Sequence, residues 1–298
     1  MSLFSSKIQN VIGPGIIFAG AAIGGSHLMS STTAGARFGF SLIVLILITN
    51  FLKYPFLLVG TRFTASTGMT LLEGFKKRNS LYLPIFLIIS LVTGTFTIAA
   101  VSFVSGVLLT NIPLFSNFPP MDLSIIVLVI CGFILIFGKY KALDNLSKIL
   151  VSLLTILTFF AVISLLINGS LNNDLTSTFF NPETSPWRLS NLSFLIPLMG
   201  WMPCPVELCV WPSLWMFSKN KESKYRPTVQ EAEFDFNLGY LITIITAIFF
   251  VTLGAITMYG TGDGMLSGSG VSFAQNLIKL YTESIGEWSK WVIIPASF

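Results

Sequence analysis

Apolar runs of roughly 18 to 25 residues, the length a helix needs to cross ~30 Å of hydrocarbon, recur along the whole chain. Hydrophobic residues make up 53% of the 298 positions and charged residues 10%. A soluble domain carries charge on about a quarter of its residues, so this chain cannot cover a water-facing surface. Runs such as Ile43-Val44-Leu45-Ile46-Leu47-Ile48 lack the period-two alternation of a membrane β-barrel, which leaves helices. The fold class is therefore all-α integral membrane. Cys131, Cys204 and Cys209 are odd in number and lie in apolar segments, so no disulfide framework is expected. The formal net charge of +4 carries no nucleic-acid signal in such a chain.

Hydropathy predicts spans over Val11 to Ala36, Phe40 to Thr61, Leu81 to Leu109, Leu123 to Gly138, Ile149 to Ile167, Leu192 to Phe217 and Leu238 to Tyr259, with Trp288 to Phe298 beginning an eighth. The first is long and glycine-broken, and reads as a retained span, not a cleaved signal. When these spans alternate, Lys7, Arg62, Lys76, Lys77, Arg78, Lys139, Lys141, Lys148, Lys219, Lys221, Lys224 and Arg226 fall on one side of the bilayer. Only Arg37, Arg188, Lys279 and Lys290 fall on the other. Cytoplasmic loops retain Lys and Arg, so the N-terminus is predicted to face the cytoplasm, most simply across a bacterial inner membrane. The opposite loops, Asn111 to Met121, Asn168 to Arg188 and Gly260 to Gly270, read as polar or glycine-rich connections.

Two spans contain clustered helix breakers. The first carries Gly13-Pro14-Gly15, Gly20 and Gly24-Gly25-Ser26-His27. The sixth carries Gly200-Trp201-Met202-Pro203-Cys204-Pro205-Val206-Glu207, whose two prolines each remove an amide and clash with the preceding turn. Unpaired backbone at membrane depth is tolerated where protein or a watery cavity satisfies it, and paired interruptions in corresponding spans point to a transported substrate. His27 is the only histidine, and Glu207 is the carboxylate lying well inside an apolar span. Ionisable groups there cost at least ~2.5 kcal/mol to insert and are functional candidates. The plainer alternatives are a neutral His27 bonded to a carbonyl of the broken helix and a protonated or paired structural Glu207. Cys204 and Cys209 weigh towards packing, and Lys53 towards snorkelling over pairing with Glu207. Ser26 beside His27 lacks an orienting acid, so no hydrolytic enzyme is indicated.

Several segments carry a resemblance to a known family: Gly13-Pro14-Gly15, Thr33-Ala34-Gly35-Ala36-Arg37-Phe38-Gly39-Phe40, Gly68-Met69-Thr70-Leu71-Leu72-Glu73, and Met202-Pro203 or Cys204-Pro205. On these the chain resembles the natural-resistance-associated macrophage protein (Nramp) family of divalent-metal transporters, in a divergent bacterial branch. The resemblance implies a LeuT-type inverted-repeat fold, with substrate held between broken spans one and six and carried by proton-coupled alternating access. It places a first five-helix repeat at residues 1–168 and an incomplete second repeat at 169–298, since the chain stops at Pro295-Ala296-Ser297-Phe298 on entering an apolar segment. Truncation is thus expected.

The family's Asp-Pro-Gly-Asn falls on Gly24-Gly25-Ser26-His27, and its Met-Pro-His on Cys204-Pro205-Val206, followed by Glu207, so the usual site is absent. The candidate substrate site is Gly24, Gly25, Ser26, His27, Met202, Cys204, Pro205 and Glu207. Within it, His27, Cys204 and Glu207 form a candidate replacement metal set, offering an imidazole, a thiolate and a carboxylate. The expected cargo is a divalent metal ion with a proton, and no cofactor is expected. An amino acid or other small organic solute is one alternative, and a non-transporting membrane sensor or scaffold is another.

Overall fold

The computed structural model describes residues 11–167, 185–259 and 270–296. Its helices are α1 (Pro14–Ala22), α2 (Thr32–Phe38), α3 (Ile43–Thr67), α4 (Leu71–Arg78), α5 (Tyr82–Leu109), α6 (Pro120–Ile167), α7 (Leu192–Trp201), α8 (Trp211–Ser223), α9 (Val229–Met258), α10 (Gly270–Ile285) and α11 (Lys290–Ala296). A π-helical turn at Ser26–Ser31 joins α1 to α2, and a 3-10 turn at Val206–Cys209 precedes α8.

Among the described residues five segments are long and apolar enough to cross a membrane: Ile43–Thr67, Tyr82–Leu109, Pro120–Ile167, Leu189–Cys209 and Val229–Met258. Straight, the 48 residues of α6 would reach about 72 Å, more than twice a bilayer core. They do not run straight. Lys139 adopts φ 49° and folds the run into two arms, 120–138 and 140–167. The chain is a multi-pass membrane protein, and its outer surface agrees: Phe51, Phe96 and Phe137 are 78%, 74% and 75% exposed, side chains that only lipid can cover.

Local chemistry sets the helix ends. Thr228 and Glu231 form a reciprocal capping box at the start of α9, and Thr70 with Glu73 does the same for α4. Gly68, at φ 76°, ends α3 in the left-handed conformation that glycine tolerates.

The centre of the bundle is α9, which packs on α1, the π turn, α2, α3 and the second arm of α6. Its approach to the first span is backbone on backbone. A Cβ on Gly15 would meet the Asp235 carbonyl, and one on Gly239 would meet the Gly15 carbonyl. Higher up, a Cβ on Gly35 would meet the Val251 carbonyl and one on Gly254 that of Thr32. Small residues at helix contacts are how membrane helices gain van der Waals packing where lipid removes the hydrophobic drive.

Two elements differ from the hydropathy reading. Helix α4 lies in what reads as a polar loop, and α10 occupies Gly270–Ile285, ahead of the expected start near Trp288. Both are amphipathic: α10 buries Leu277, Leu280 and Tyr281, while Gln275 and Lys279 face outward, so a uniform apolar run is missing. Tyr281 donates to or accepts from the Thr158 hydroxyl at 2.7 Å, and Ser164 donates to the Ser284 carbonyl at 2.6 Å, docking α10 on α6. The expected connections at 168–184 and 260–269 lie outside the described residues.

Candidate functional site

Both predicted interruptions are present. Helix α1 stops at Ala22, the chain bends at Ile23 and Gly24, and the π turn restarts it. Helix α7 stops at Trp201, residues 202–205 are non-helical, and Pro205 leads into the 3-10 turn. The two breaks touch. The Ser26 hydroxyl lies 2.9 Å from the Ala22 carbonyl and 3.2 Å from the Pro203 carbonyl, so the broken spans approach within hydrogen-bond distance there. The Trp201 ring lies over Gly25, where a Cβ would sit 3.0 Å from it.

A cavity of about 680 Å³ opens beside the breaks, lined by the end of α1, Gly24, Gly25, Ser26, Trp201, Pro205, and residues of α5, α6 and α8. Of the eight predicted substrate-site residues, Gly24, Gly25, Ser26 and Pro205 line this cavity. A Cβ on Gly24 would meet nothing within 4 Å, so this position opens onto free space.

The other four sit elsewhere. His27 is fully buried, with Nε2 3.0 Å from the Thr243 carbonyl and Nδ1 2.8 Å from the Ser26 hydroxyl. A carbonyl only accepts, so Nε2 carries the proton, and in the neutral ring Nδ1 is left to accept from Ser26. Both nitrogens are thus occupied, and the imidazole clamps the first break to the middle of α9. Met202 packs in an apolar cluster with Ala34, Phe38, Leu198 and Val251. Cys204 packs with Phe18, Leu57, Phe236 and Tyr240. Glu207 is 1% exposed on the 3-10 turn, which packs against α3 and α5, and its Oε2 has no hydrogen-bond partner.

The predicted metal set of His27, Cys204 and Glu207 is not gathered into one group: among the described residues no three His, Cys, Asp or Glu side chains group to hold a metal ion. The reason is geometric. His27 turns towards α9, Cys204 into an aromatic cluster, and Glu207 lies two residues past the last proline, on a turn that carries it away from the cavity. Lys53 turns to backbone carbonyls and not to Glu207. Its Nζ donates to the Gly200 carbonyl at 2.7 Å and reaches that of Cys204 at 3.4 Å, capping the carbonyl end of α7.

Two carboxylates were not anticipated. Asp235 on α9 accepts from the Gly13 amide at 3.0 Å and from the Gly15 amide at 2.6 Å, taking the free donors at the start of α1. Asp144 on α6 pairs with Lys148 at 2.9 Å and Lys219 at 3.1 Å. Gly13-Pro14-Gly15 is the signal that could have found Asp235, since a helix starting near the membrane needs an acceptor for its first amides.

Residues 15–294 match the model of the Nramp family, described as natural resistance-associated macrophage protein-like. The chain is 38% identical over 297 residues to an uncharacterised protein of Pasteurella multocida (strain Pm70), covering all of this chain and 67% of that one. It is similar in fold to solved forms of the manganese transporter of Eremococcus coleocola. One single-residue variant gives a TM-score of 0.66 at 16% identity, over 99% of this chain and 63% of that one. The complex with an aromatic bis-isothiourea substituted compound gives 0.60 at 15% identity, over 99% and 66%. The chain thus spans about 63% of the length of the first of these transporters.

Proposed function

Because the chain belongs to the Nramp family and has its LeuT-type fold, we propose that it forms the substrate-carrying part of a secondary transporter that moves a cation, in first place a divalent metal ion, by alternating access between its first and sixth spans. The observation that carries this reading is that both spans break at one level and that the two breaks line one cavity. Half-helix ends at such breaks are where secondary transporters hold ions and solutes. Structures named as manganese transporters share this fold, which supports a metal as cargo. A proton as the coupling ion, a lipid bilayer of the bacterial inner membrane as the setting, and a cytoplasmic N-terminus belong to the same proposal. So does the division into repeats at 1–168 and 169–298. The predicted same-side cations Arg62, Lys148, Lys219 and Arg226 support that topology, since each is tied to one end of the bundle through Glu233, Asp144 or the carbonyls of Ala65 and Ser66.

Without a convergent ligand group, a metal ion in this cavity would keep water or ligands of its own, because a dehydrated divalent cation needs several oxygen, nitrogen or sulfur donors. The cavity's apolar lining favours a second reading, a small organic solute. Uptake by the protein in proteoliposomes tests both: Mn2+ accumulation driven by an inward proton gradient is the outcome expected for the metal reading. Flux of neither class would favour a membrane sensor.

A further inference from the structure

Resting on the transport reading above and deepening it at the same cavity, we propose that the space beside the two breaks binds a monovalent organic cation with an aromatic or branched alkyl body. Size comes first. A volume of about 680 Å³ falls in the range of small-molecule sites, roughly 300–1,000 Å³, and far exceeds what a bare ion fills.

Composition comes second. Trp201 closes the end of α7, while Trp211 and Trp215 stand one turn apart on α8, their rings edge to face at 5.9 Å, and all three line the cavity. Among the described residues no charged side chain lines the cavity, and Ser26, Thr97 and Ser147 are the polar ones. Indole carries the strongest ring quadrupole of the aromatic side chains, so a cluster of three is a surface for a positive charge on an apolar body.

The sign and number of charges come third. Helix α1 ends at Ala22 and α7 at Trp201, both on the cavity, so two carbonyl ends, each equivalent to about half a negative charge, approach it. Lys53, which does not line the cavity, already compensates the end of α7 through the Gly200 carbonyl. The starts of the π turn at Gly25 and Ser26 and of α8 at Trp211 also border the cavity and offset the end of α1, so the three ring faces carry the preference. Three ring faces suit one desolvated positive charge and fall short of what a divalent ion loses on dehydration.

Equilibrium binding to the purified protein, followed by tryptophan fluorescence and calorimetry, tests this with benzyltrimethylammonium and its uncharged carbon isostere neopentylbenzene. The ammonium should bind about 5- to 30-fold more tightly than the isostere, the ratio expected of a desolvated cation on aromatic faces. Trp201→Leu and Trp215→Leu should each weaken the ammonium several-fold, while Trp215→Phe, which keeps a ring, should restore part of the loss. Equal affinity for the two probes, binding of neither, or affinity untouched by the leucine variants would overturn the proposal. Mn2+ flux without ammonium binding would sink this inference and leave the transport reading standing. Ammonium binding with no flux of any substrate would do the reverse.

Discussion

Replacing His27 distinguishes a clamp from a ligand. In the structure the imidazole is fully buried, bonded at one nitrogen to the Thr243 carbonyl and at the other to the Ser26 hydroxyl. His27→Ala removes two hydrogen bonds with a net value of ~1 kcal/mol each and leaves a ring-sized void among close-packed helices. The total expected is about 3–4 kcal/mol of destabilisation. His27→Gln keeps a donor able to reach Thr243 and should recover about 1 kcal/mol of this. Unfolding of the purified protein in mixed micelles, titrated with SDS and followed by far-ultraviolet circular dichroism, should therefore rank wild type above His27→Gln above His27→Ala. A residue that served only as a ligand would give another pattern, with metal affinity lost and stability kept. An alanine variant within ~0.5 kcal/mol of wild type, the range of a neutral surface change, would refute the clamp.

Four other perturbations address separate parts of the argument. Gly254→Val should cost more than 2 kcal/mol or prevent folding, because its side chain would run into the Thr32 carbonyl; recovery of normal yield and melting temperature would contradict the backbone contact. Asp235→Asn keeps one acceptor and turns an NH2 group on the second amide, so hydrogen exchange at Gly13 and Gly15 should accelerate at least tenfold, with unchanged exchange counting against this cap. The Glu73 carboxyl is held below its ordinary range by the Thr70 amide and then by the Thr70 hydroxyl. Its contribution to α4 is complete above the unfolded-state value and is lost as pH falls through the lower folded one, so protection of the first α4 amides against exchange should fall on acidification in wild type and not in Glu73→Gln. Gly24→Asp meets open space, so it should fold as the wild type does and gain calorimetric Mn2+ affinity by placing a carboxylate in the cavity; a melting temperature several degrees lower, or no gain, would show that this position does not face it.

The parts of the fold that a one-dimensional reading can reach are those written in runs. Apolar length marked the spans, and the prolines at 203 and 205 with the glycines at 24 and 25 marked both breaks, because a missing amide or side chain acts on its own helix. Amphipathic helices escape that test: α10 divides its polar and apolar residues between two faces and averages to neither. The site was harder still. An ionisable residue at membrane depth announces that something satisfies it, but ligand and clamp differ only in what its atoms face, and the Thr243 carbonyl is 216 residues away from His27. Asp235 lay just before the expected start of its span, and its partners lie more than 200 residues away. Glu207 shows the effect of local phase, since Pro205 lines the cavity while the 3-10 turn that follows packs Glu207 against α3 and α5.

These ties differ in kind between the two broken spans. The first is fixed to α9 at three heights: by Asp235 on Gly13 and Gly15, by His27 on Thr243, and by the contact of Gly35 and Gly254 with opposing backbone. The sixth is fixed to α3 and its end, by Lys53 on Gly200, by Gly60 against the Cys209 carbonyl, and by Ser213 accepting from the Leu71 amide. Interlocked backbone cannot slide without separating, so a movement that parts the two breaks carries α9 with one and α3 with the other. The load then falls on the seam between α3 and α9, where Tyr240 donates to the Asn50 carbonyl, Tyr54 to Asn237, and Arg62 pairs with Glu233. Those polar bonds are worth ~1 kcal/mol each, but the same seam buries Leu57 and Leu58 beside Phe236 and Tyr240 and packs the Tyr54 ring on both, so parting it would cost apolar contacts as well.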